Sequence, residues 1–139
     1  MTTASRERPV PRPEQNALYR PYWAYARQGE WRLQHCGACG YYIHFPKARC
    51  PRCSSSDLEW ARMSGRGVVG SFIIVRHLDA PGFDQPYVVA QVSPVEQDTV
   101  RVVCNLLECD PEEVYVGMPV QVTFETIRDG WVLPQFRPV

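Results

Sequence analysis

Hydrophobic and polar positions follow a helical pattern near the start of the chain and strand patterns after about residue 64. Between Ala17 and Gln28, aromatic and aliphatic side chains crowd a short segment with Pro21 near its start and Gly29 after its end, which predicts a helix. Five later runs are rich in β-branched and aromatic residues and are separated by turn residues, which predicts strands. The predicted strands are Val68–His77, Tyr87–Val92, Val100–Leu107, Val120–Ile127 and Val132–Phe136.

A brief helix is predicted between the third and fourth of these strands. Asp110 is a favourable N-cap, Pro111 fits the first helical position and Gly117 follows the end. Gly70 predicts a bend inside the long first strand. Five short strands with a helix in this position are typical of a small Greek-key barrel of the OB type, so the predicted fold class is mostly β.

Two Cys-x-x-Cys pairs lie between the helix and the barrel, Cys36-Gly-Ala-Cys39 and Cys50-Pro-Arg-Cys53. Each short spacing forms a tight knuckle that aims both sulfur atoms at one point, as a tetrahedral four-thiolate site requires. Gly37 and Gly40 are expected to adopt the positive backbone dihedral angles of the first knuckle, whereas Ser54 stands where the second knuckle would favour glycine. The pattern predicts a zinc ribbon.

Short strands are expected around the knuckles. Glu30–Gln34 predicts a strand that leads into the first knuckle, and residues 41–45 predict a hairpin between the two. Leu58 and Trp60 alternate with charged residues, as in a strand that leaves the ribbon. His35 and His44 flank the site, but four cysteines complete the ligand set, so both are interpreted as surface or packing histidines.

The six cysteines allow two chemical interpretations. Disulfides require an oxidising compartment, and the chain opens without an apolar signal segment, so a reducing cytoplasm and a bound metal are favoured. Zinc suits four thiolates, while iron can occupy a rubredoxin-like version of the same geometry. Because protein ligands fill all four positions, the metal is predicted to be structural and not hydrolytic.

Composition and charge add limits on function. An apolar content of 45% over 139 residues indicates a folded protein, and the absence of an apolar span of about 18 residues predicts a soluble protein with no membrane partner. The net charge is zero, but residues 1–66 carry +6 and residues 67–139 carry −6. A basic first half attracts phosphates or an acidic protein face, while the acidic second half disfavours wrapping by nucleic acid.

The sequence therefore divides into a disordered tail over residues 1–15, a helical docking arm over 16–30, a zinc ribbon over 31–61 and an OB barrel over 62–139. The arm carries more aromatic surface than a lone helix in water needs. Tyr19, Tyr22 and Trp23 are predicted to dock on a partner, where aromatic anchors are common. The alternative is that Tyr22 and Trp23 pack on the ribbon or the barrel of the same chain.

Several motifs, in order and spacing from about residue 16 to the end, resemble a known family. They are Pro21-Tyr-Trp23, the two knuckles, Leu58-Glu-Trp60, Ser64-Gly-Arg-Gly67, Pro86-Tyr-Val-Val-Ala90, Gly117-Met-Pro-Val120 and Leu133-Pro-Gln-Phe-Arg-Pro138. The chain is similar to the zinc-ribbon and OB-fold proteins of acyl-CoA metabolism, which are accessory partners of thiolase-superfamily enzymes such as steroid side-chain retro-aldolases.

The resemblance implies a noncatalytic subunit whose thiolase-like partner carries the catalytic groups. The sequence agrees, because Cys104 lies in an apolar strand and Cys109 after it, without a neighbouring histidine, and both are interpreted as structural thiols. His77 is interpreted as an ordinary histidine. Basic residues of the first half are candidates for binding the phosphates of acyl-CoA: Arg20, Arg27, Lys47, Arg49, Arg52 and Arg66. Single-strand nucleic-acid binding by the OB barrel and rubredoxin-like electron transfer are the alternative functions.

Overall fold

The structure is a computed structural model that describes residues 8–11, 17–77, 82–83 and 86–139 of the chain. Helix α1 (Arg20–Arg27), preceded by a 3-10 turn (Ala17–Tyr19), leads into a small sheet and then a barrel. The strands of the small sheet are β1 (Arg32–Cys36), β2 (Tyr42–Ile43) and β3 (Leu58–Arg62). Those of the barrel are β4 (Arg66–Val75), β5 (Tyr87–Pro94), β6 (Val102–Leu106), β7 (Pro119–Thr126) and β8 (Val132–Pro138).

The small sheet has β1 in the centre, with β2 and β3 antiparallel on either side. The strand predicted at Glu30–Gln34 lies two residues later, because β1 pairs with β3 from Arg32 to Cys36 and so ends at the first cysteine. β3 belongs to this sheet and does not leave it, and β2 is only two residues long. The pairing brings the first knuckle next to the start of β3.

The five later strands form a closed barrel in the order β4-β5-β6-β8-β7, which confirms the predicted OB architecture. Neighbouring strands are antiparallel except β6 and β8, which run parallel where Leu106 pairs with Phe136. The bend predicted at Gly70 is present, since the register of β4 against β5 shifts between Val69 and Ser71. This irregularity helps one long strand to pair with both β5 and β7.

Strand ends differ from the prediction where the barrel closes. β4 begins at Arg66, two residues before the predicted start, because Arg66 and Gly67 pair with Gln121 and Val120 of β7. A Cβ atom at position 67 would lie 2.6 Å from Val92 Cγ1, so glycine is needed for this approach of β4 to β5. The remaining strands differ from their predicted ends by up to two residues.

The brief helix predicted after the third strand is a 3-10 turn, Pro111–Glu113. The predicted cap is present, because Asp110 Oδ1 accepts a hydrogen bond from the backbone N–H of Glu112 at 2.9 Å. Gly117, at φ 93°, lies beyond the turn and not at the end of a longer helix. The turn joins β6 to β7 across one end of the barrel.

The main core extends from the helix and the ribbon into the barrel. Trp31 precedes β1 and is 2% exposed, and its ring meets that of fully buried Phe136 of β8 edge to face at 5.2 Å. Tyr22 of α1 and Leu33 of β1 belong to the same buried cluster as the barrel strands. Burial of large side chains from all three segments in one cluster stabilises them together.

Two glutamine side chains replace missing strand partners in the ribbon. The Gln97 amide accepts from the backbone N–H of Tyr42 and donates to its carbonyl, both at 2.9 Å, which ties the outer edge of β2 to the β5–β6 loop of the barrel. The amide of buried Gln34 accepts from the backbone N–H of Lys47 at 2.7 Å and donates to its carbonyl at 3.0 Å. These bonds satisfy backbone groups that no strand reaches.

Helix α1 is eight residues long and packs against β8 and β1. Within the part of the chain that the structure describes, no helix has the length and apolar character needed to cross a membrane.

Candidate functional site

The sulfur atoms of Cys36, Cys39, Cys50 and Cys53 lie within 4.8 Å of one another. The Sγ atoms of Cys36 and Cys53 are 3.5 Å apart, and those of Cys39 and Cys50 are 3.7 Å apart. A tetrahedral zinc ion with four sulfur ligands gives S–S distances of about 3.8 Å, whereas a disulfide requires about 2.05 Å. The four side chains therefore fit a tetrahedral metal ion and not two disulfides, and all six cysteines are free.

Both knuckles use the same backbone geometry. Gly40 donates its N–H to the carbonyl of Cys36 at 2.8 Å, and Ser54 donates to Cys50 at 2.9 Å. Gly40 has φ 79° and Ser54 has φ 64°, so the prediction of a positive angle at Gly40 is confirmed, and Ser54 adopts the same region without being glycine. Because both knuckles make this turn, each of them contributes two sulfur atoms to the same cluster.

Gly37 has a different role from the one predicted. Its φ angle is not positive, and its N–H donates to the carbonyl of Asp57 at 2.8 Å. A Cβ atom at position 37 would lie 2.5 Å from Asp57 Oδ2. Glycine is therefore required because the start of β3 approaches the first knuckle closely, and not because of its own dihedral angle.

The four thiols differ in exposure. Cys36 and Cys50 are buried, whereas Cys39 and Cys53 face solvent. Backbone N–H groups of Cys39 and Ala38 lower the pKa of the Cys36 thiol to about 7, and the N–H of Arg52 donates to Cys50 Sγ at 3.4 Å. Donors aimed at the sulfur atoms of Cys36 and Cys50 favour the thiolate form of these two buried cysteines, which is the form that binds a metal.

Neither nearby histidine is needed to complete the ligand set. His35 Nδ1 lies 2.9 Å from Glu59 Oε1, and the His44 ring packs against Tyr22 and Phe45 at 5.9 and 4.6 Å. Burial lowers the pKa of His44 to about 4, so its ring is neutral at pH 7. Both take part in ordinary contacts, as the sequence interpretation expected.

The aromatic residues of the arm divide into an inner and an outer set. Tyr22 is 6% exposed, so its assignment to a partner surface is wrong and the alternative of packing within the chain holds for it. Trp23 is half-buried and meets Tyr22 and Trp131 edge to face at 4.9 and 6.0 Å. Tyr19 instead lies 6.1 Å from Phe45, whose side chain is 53% exposed.

The six basic candidates lie on three parts of the fold. Arg27 stacks over Trp131 at 4.6 Å and Arg52 over Tyr41 at 5.6 Å, so both cover aromatic rings of this chain. Arg49 donates to the carbonyl of Ser54 at 3.3 Å. All six are exposed, and the remaining three, Arg20, Lys47 and Arg66, lie on α1, in the ribbon and at the start of β4.

Sequence reasoning missed Arg8, which it placed in a disordered tail. Arg8 pairs with Glu125 of β7 at 3.3 Å and lies over the Phe83 ring at 4.3 Å. Arg8 therefore contacts the barrel, while most of the predicted tail, residues 1–7 and 12–15, lies outside the described residues. No sequence signal marks Arg8, because its partner Glu125 is 117 residues away along the chain.

The spare thiols carry no sign of activation. Cys104 is 7% exposed, its Sγ lies 3.8 Å from the carbonyl of Ala90, and burial raises its pKa to about 12. Burial, Asp110 and Glu113 together raise the pKa of Cys109. A nucleophilic cysteine needs a lowered pKa, so the raised pKa values disfavour the reactive form of both thiols. His77 is exposed.

A four-cysteine ribbon joined to a closed five-stranded barrel defines a zinc-ribbon and OB-fold protein. Two family profiles match it: the ChsH2 rubredoxin-like zinc ribbon domain over residues 23–59 and the ChsH2 C-terminal OB-fold domain over residues 60–125. The chain belongs to the ChsH2 family, whose members are also called DUF35 proteins.

Relatives extend the match to nearly the whole chain. A DUF35 domain-containing scaffold protein of Pyrococcus furiosus is 35% identical over 127 residues, which cover 85% of this chain and 90% of that protein. A probable enoyl-CoA hydratase alpha subunit of Thermomonospora curvata is 36% identical over 92% of this chain, but the chain spans only 40% of that subunit. A chain of the solved Ltp2-ChsH2(DUF35) aldolase is 34% identical, with a TM-score of 0.84 over 94% of this chain and 98% of that one.

Proposed function

We propose that this chain is a noncatalytic accessory subunit that binds and stabilises a thiolase-superfamily acyl-CoA enzyme of the steroid side-chain aldolase or acyltransferase type. The similarity to a chain of the Ltp2-ChsH2(DUF35) aldolase is the observation that carries the proposal, because it covers the ribbon and the barrel together. The names of relatives agree with this role, since they are scaffold proteins and alpha subunits.

The chemistry of the chain supports a noncatalytic role. Four protein ligands leave the metal no open position for water, and the raised pKa values of Cys104 and Cys109 disfavour their thiolates. Acyl transfer and carbon–carbon cleavage both need a positioned nucleophile or base. We therefore assign these groups to the partner enzyme.

We assign docking on the partner to an arm patch formed by Leu18, Tyr19 and Phe45. These residues lie where the start of the arm meets the ribbon, and Leu18 and Phe45 are 40% and 53% exposed. Exposed aromatic side chains held by neighbouring rings are typical anchors of a protein interface. Trp23 is half-buried against Tyr22 and Trp131, so we leave it out of the arm patch.

Co-expression with a thiolase-like protein encoded beside this chain, followed by size-exclusion chromatography and an acyl-CoA cleavage assay, tests the proposal. We expect co-elution and an activity that neither protein shows alone. Phe45→Ala is expected to weaken the complex at least tenfold. Tyr115→Ala, which removes a 56% exposed aromatic side chain from the connection between β6 and β7, is the matched control. Separate elution of the two proteins would contradict the accessory role, and equal effects of the two variants would contradict the arm patch.

We propose zinc as the metal, in a reducing, cytoplasmic setting that keeps the thiols unpaired. Cys39→Ser is expected to remove the metal and unfold the ribbon, because zinc binding supplies about 10–16 kcal/mol in small zinc-finger peptides. Cys109→Ser, which changes a cysteine outside the cluster, is expected to keep one metal ion per chain. Metal analysis of the purified protein distinguishes zinc from iron, and a red iron-loaded protein would favour the electron-transfer alternative.

Contact of this chain with acyl-CoA is a separate part of the proposal. The exposed side chains of Arg20, Lys47 and Arg66 have room to bind phosphates, whereas Arg27 and Arg52 already cover aromatic rings. Lys47→Glu in the complex is expected to weaken CoA-ester binding without loss of zinc. Unchanged binding in Lys47→Glu and Arg66→Glu would remove both residues from the phosphate site.

A further inference from the structure

A cleft of about 310 Å³ lies on the outer face of the barrel, between β5, β6 and β8, next to α1. Its rim is formed by Phe83 and Tyr87, whose rings stack with centroids 4.8 Å apart, and by Val103, which is 57% exposed. Trp23 and Leu133 also line the cleft. Its volume is at the lower end of the range of about 300–1,000 Å³ for small-molecule sites.

The two side-chain amides that line this cleft, those of Gln135 and Asn105, already have hydrogen-bond partners. Gln135 accepts from the backbone N–H of Asn105 at 2.7 Å, and its amide N–H groups face Glu125 Oε1 and Asn105 Oδ1 at 3.2 and 3.4 Å. The Asn105 amide donates to the carbonyl of Val88 at 2.9 Å. The cleft therefore offers few unpaired hydrogen-bonding groups to a ligand.

The charge in the cleft is also balanced. Among the described residues that line it, Arg8 is the only one charged at neutral pH, and its guanidinium pairs with Glu125 at 3.3 Å while covering Phe83. The side chains of Arg8 and Glu125 are only 11% and 22% exposed. Burying a charged ligand here would cost desolvation without supplying a free partner of opposite charge.

We propose that this cleft binds a small, uncharged molecule with a planar ring system, held by the stacked rings of Phe83 and Tyr87 and by the other apolar lining residues, among them Trp23 and Leu133. Aromatic walls match flat apolar rings, and the internally paired polar groups select against charged ligands. The cleft lies on the second and third barrel strands, β5 and β6, near the loop between β4 and β5. In OB folds this face is a common place for ligands. The site does not depend on the proposed partner.

Two probes with the same rings test the ligand class on the full-length, metal-loaded chain. N-phenyl-1-naphthylamine is uncharged, and 8-anilinonaphthalene-1-sulfonate adds a sulfonate; the fluorescence of both rises in apolar surroundings. We expect saturable 1:1 binding of the uncharged probe and at least tenfold weaker binding of the sulfonate. Equal or tighter binding of the sulfonate would overturn the uncharged class.

Matched variants test the location. Val103→Glu puts a charge on the rim, while Val95→Glu makes the same change at a side chain that is 53% exposed and outside the cleft. We expect Val103→Glu to weaken the uncharged probe at least tenfold and Val95→Glu to change its affinity less than twofold. Because both positions are exposed, the fold and metal content are expected to be unchanged. Equal affinities in the two variants would overturn the assignment.

A third variant tests the role of the paired charges. Glu125→Gln removes the partner of Arg8 but keeps an oxygen that can accept from Gln135. We expect it to raise the affinity for the sulfonate at least fivefold and to change that for the uncharged probe less than twofold. An unchanged preference between the two probes would contradict the argument that charge pairing sets the ligand class.

Discussion

Gln97 offers a sharp test of how the ribbon is attached to the barrel. Its side-chain amide makes two hydrogen bonds to the backbone of Tyr42, one through each of its polar atoms. Gln97→Ala removes both and leaves the outer edge of β2 unpaired. A neutral hydrogen bond contributes about 0.5–1.5 kcal/mol to stability, so the expected loss is about 1–3 kcal/mol in the free energy of unfolding.

The expected result is a thermal unfolding midpoint about 3–12 °C lower at saturating zinc. Hydrogen exchange gives the local measurement, because the Tyr42 amide loses its acceptor in Gln97→Ala and is expected to exchange faster. Gln97→Glu is the matched variant, since a carboxylate still accepts from the Tyr42 amide but cannot donate to its carbonyl. We therefore expect Gln97→Glu to protect the Tyr42 amide while lowering overall stability.

Two results would refute this reasoning. Unchanged exchange at the Tyr42 amide in Gln97→Ala would mean that the side-chain bond does not protect it in solution. If exchange at Tyr42 is faster in Gln97→Ala but overall stability is unchanged, the Gln97 bonds do not hold the ribbon on the barrel. The packing of Trp31 in the shared core would then be sufficient for that attachment.

Two further predictions concern the ribbon. Ser54 has φ 64°, so Ser54→Gly is expected to raise the free energy of unfolding of the metal-loaded protein by about 0.5–1 kcal/mol in chemical denaturation. Ser56 does not have a positive φ angle, so Ser56→Gly is the control and is expected to give no gain in stability. Because the pKa of His44 is about 4 in the folded chain and about 6.5 when unfolded, the unfolded state binds more protons between these values. Stability is then full above pH 6.5 and falls as the pH drops towards 4, by about 2 kcal/mol at pH 5. His44→Phe is expected to lack the part of the stability loss that comes from His44. The measurement is the difference in the free energy of unfolding between this variant and the wild type at each pH, at saturating zinc. Equal pH dependence of the two proteins would contradict the prediction.

The sequence predicts those features that local spacing determines. The two knuckles are an example, because the four residues of each Cys-x-x-Cys pair are enough to set the turn. The spacing also shows that Ser54 takes the position in the second knuckle that Gly40 takes in the first. The five barrel strands are another, since each is a run rich in β-branched and aromatic residues with turn residues on either side. The closed barrel that they form agrees with the OB interpretation.

Features that depend on distant partners were not predicted. The start of β4 is set by its pairing with β7, and the need for glycine at position 37 is set by Asp57. Tyr22 and Trp23 are adjacent in an arm with aromatic rings on several sides, so the sequence did not show that Tyr22 faces inward. The pairing of Arg8 with Glu125 carries no periodic signal at all.

The position of helix α1 against β8 has a consequence for the order in which the chain can fold. Trp23 and Arg27 leave the ribosome early, but Trp131, the ring on which both pack, is made more than a hundred residues later. During synthesis Tyr22 can pack on the ribbon early, whereas Trp23 and Arg27 wait for Trp131, and contacts between such distant segments form slowly. A chain that stops before Trp131 leaves these two side chains without that ring, so this side of the arm reaches its final packing only when the end of the barrel has been made.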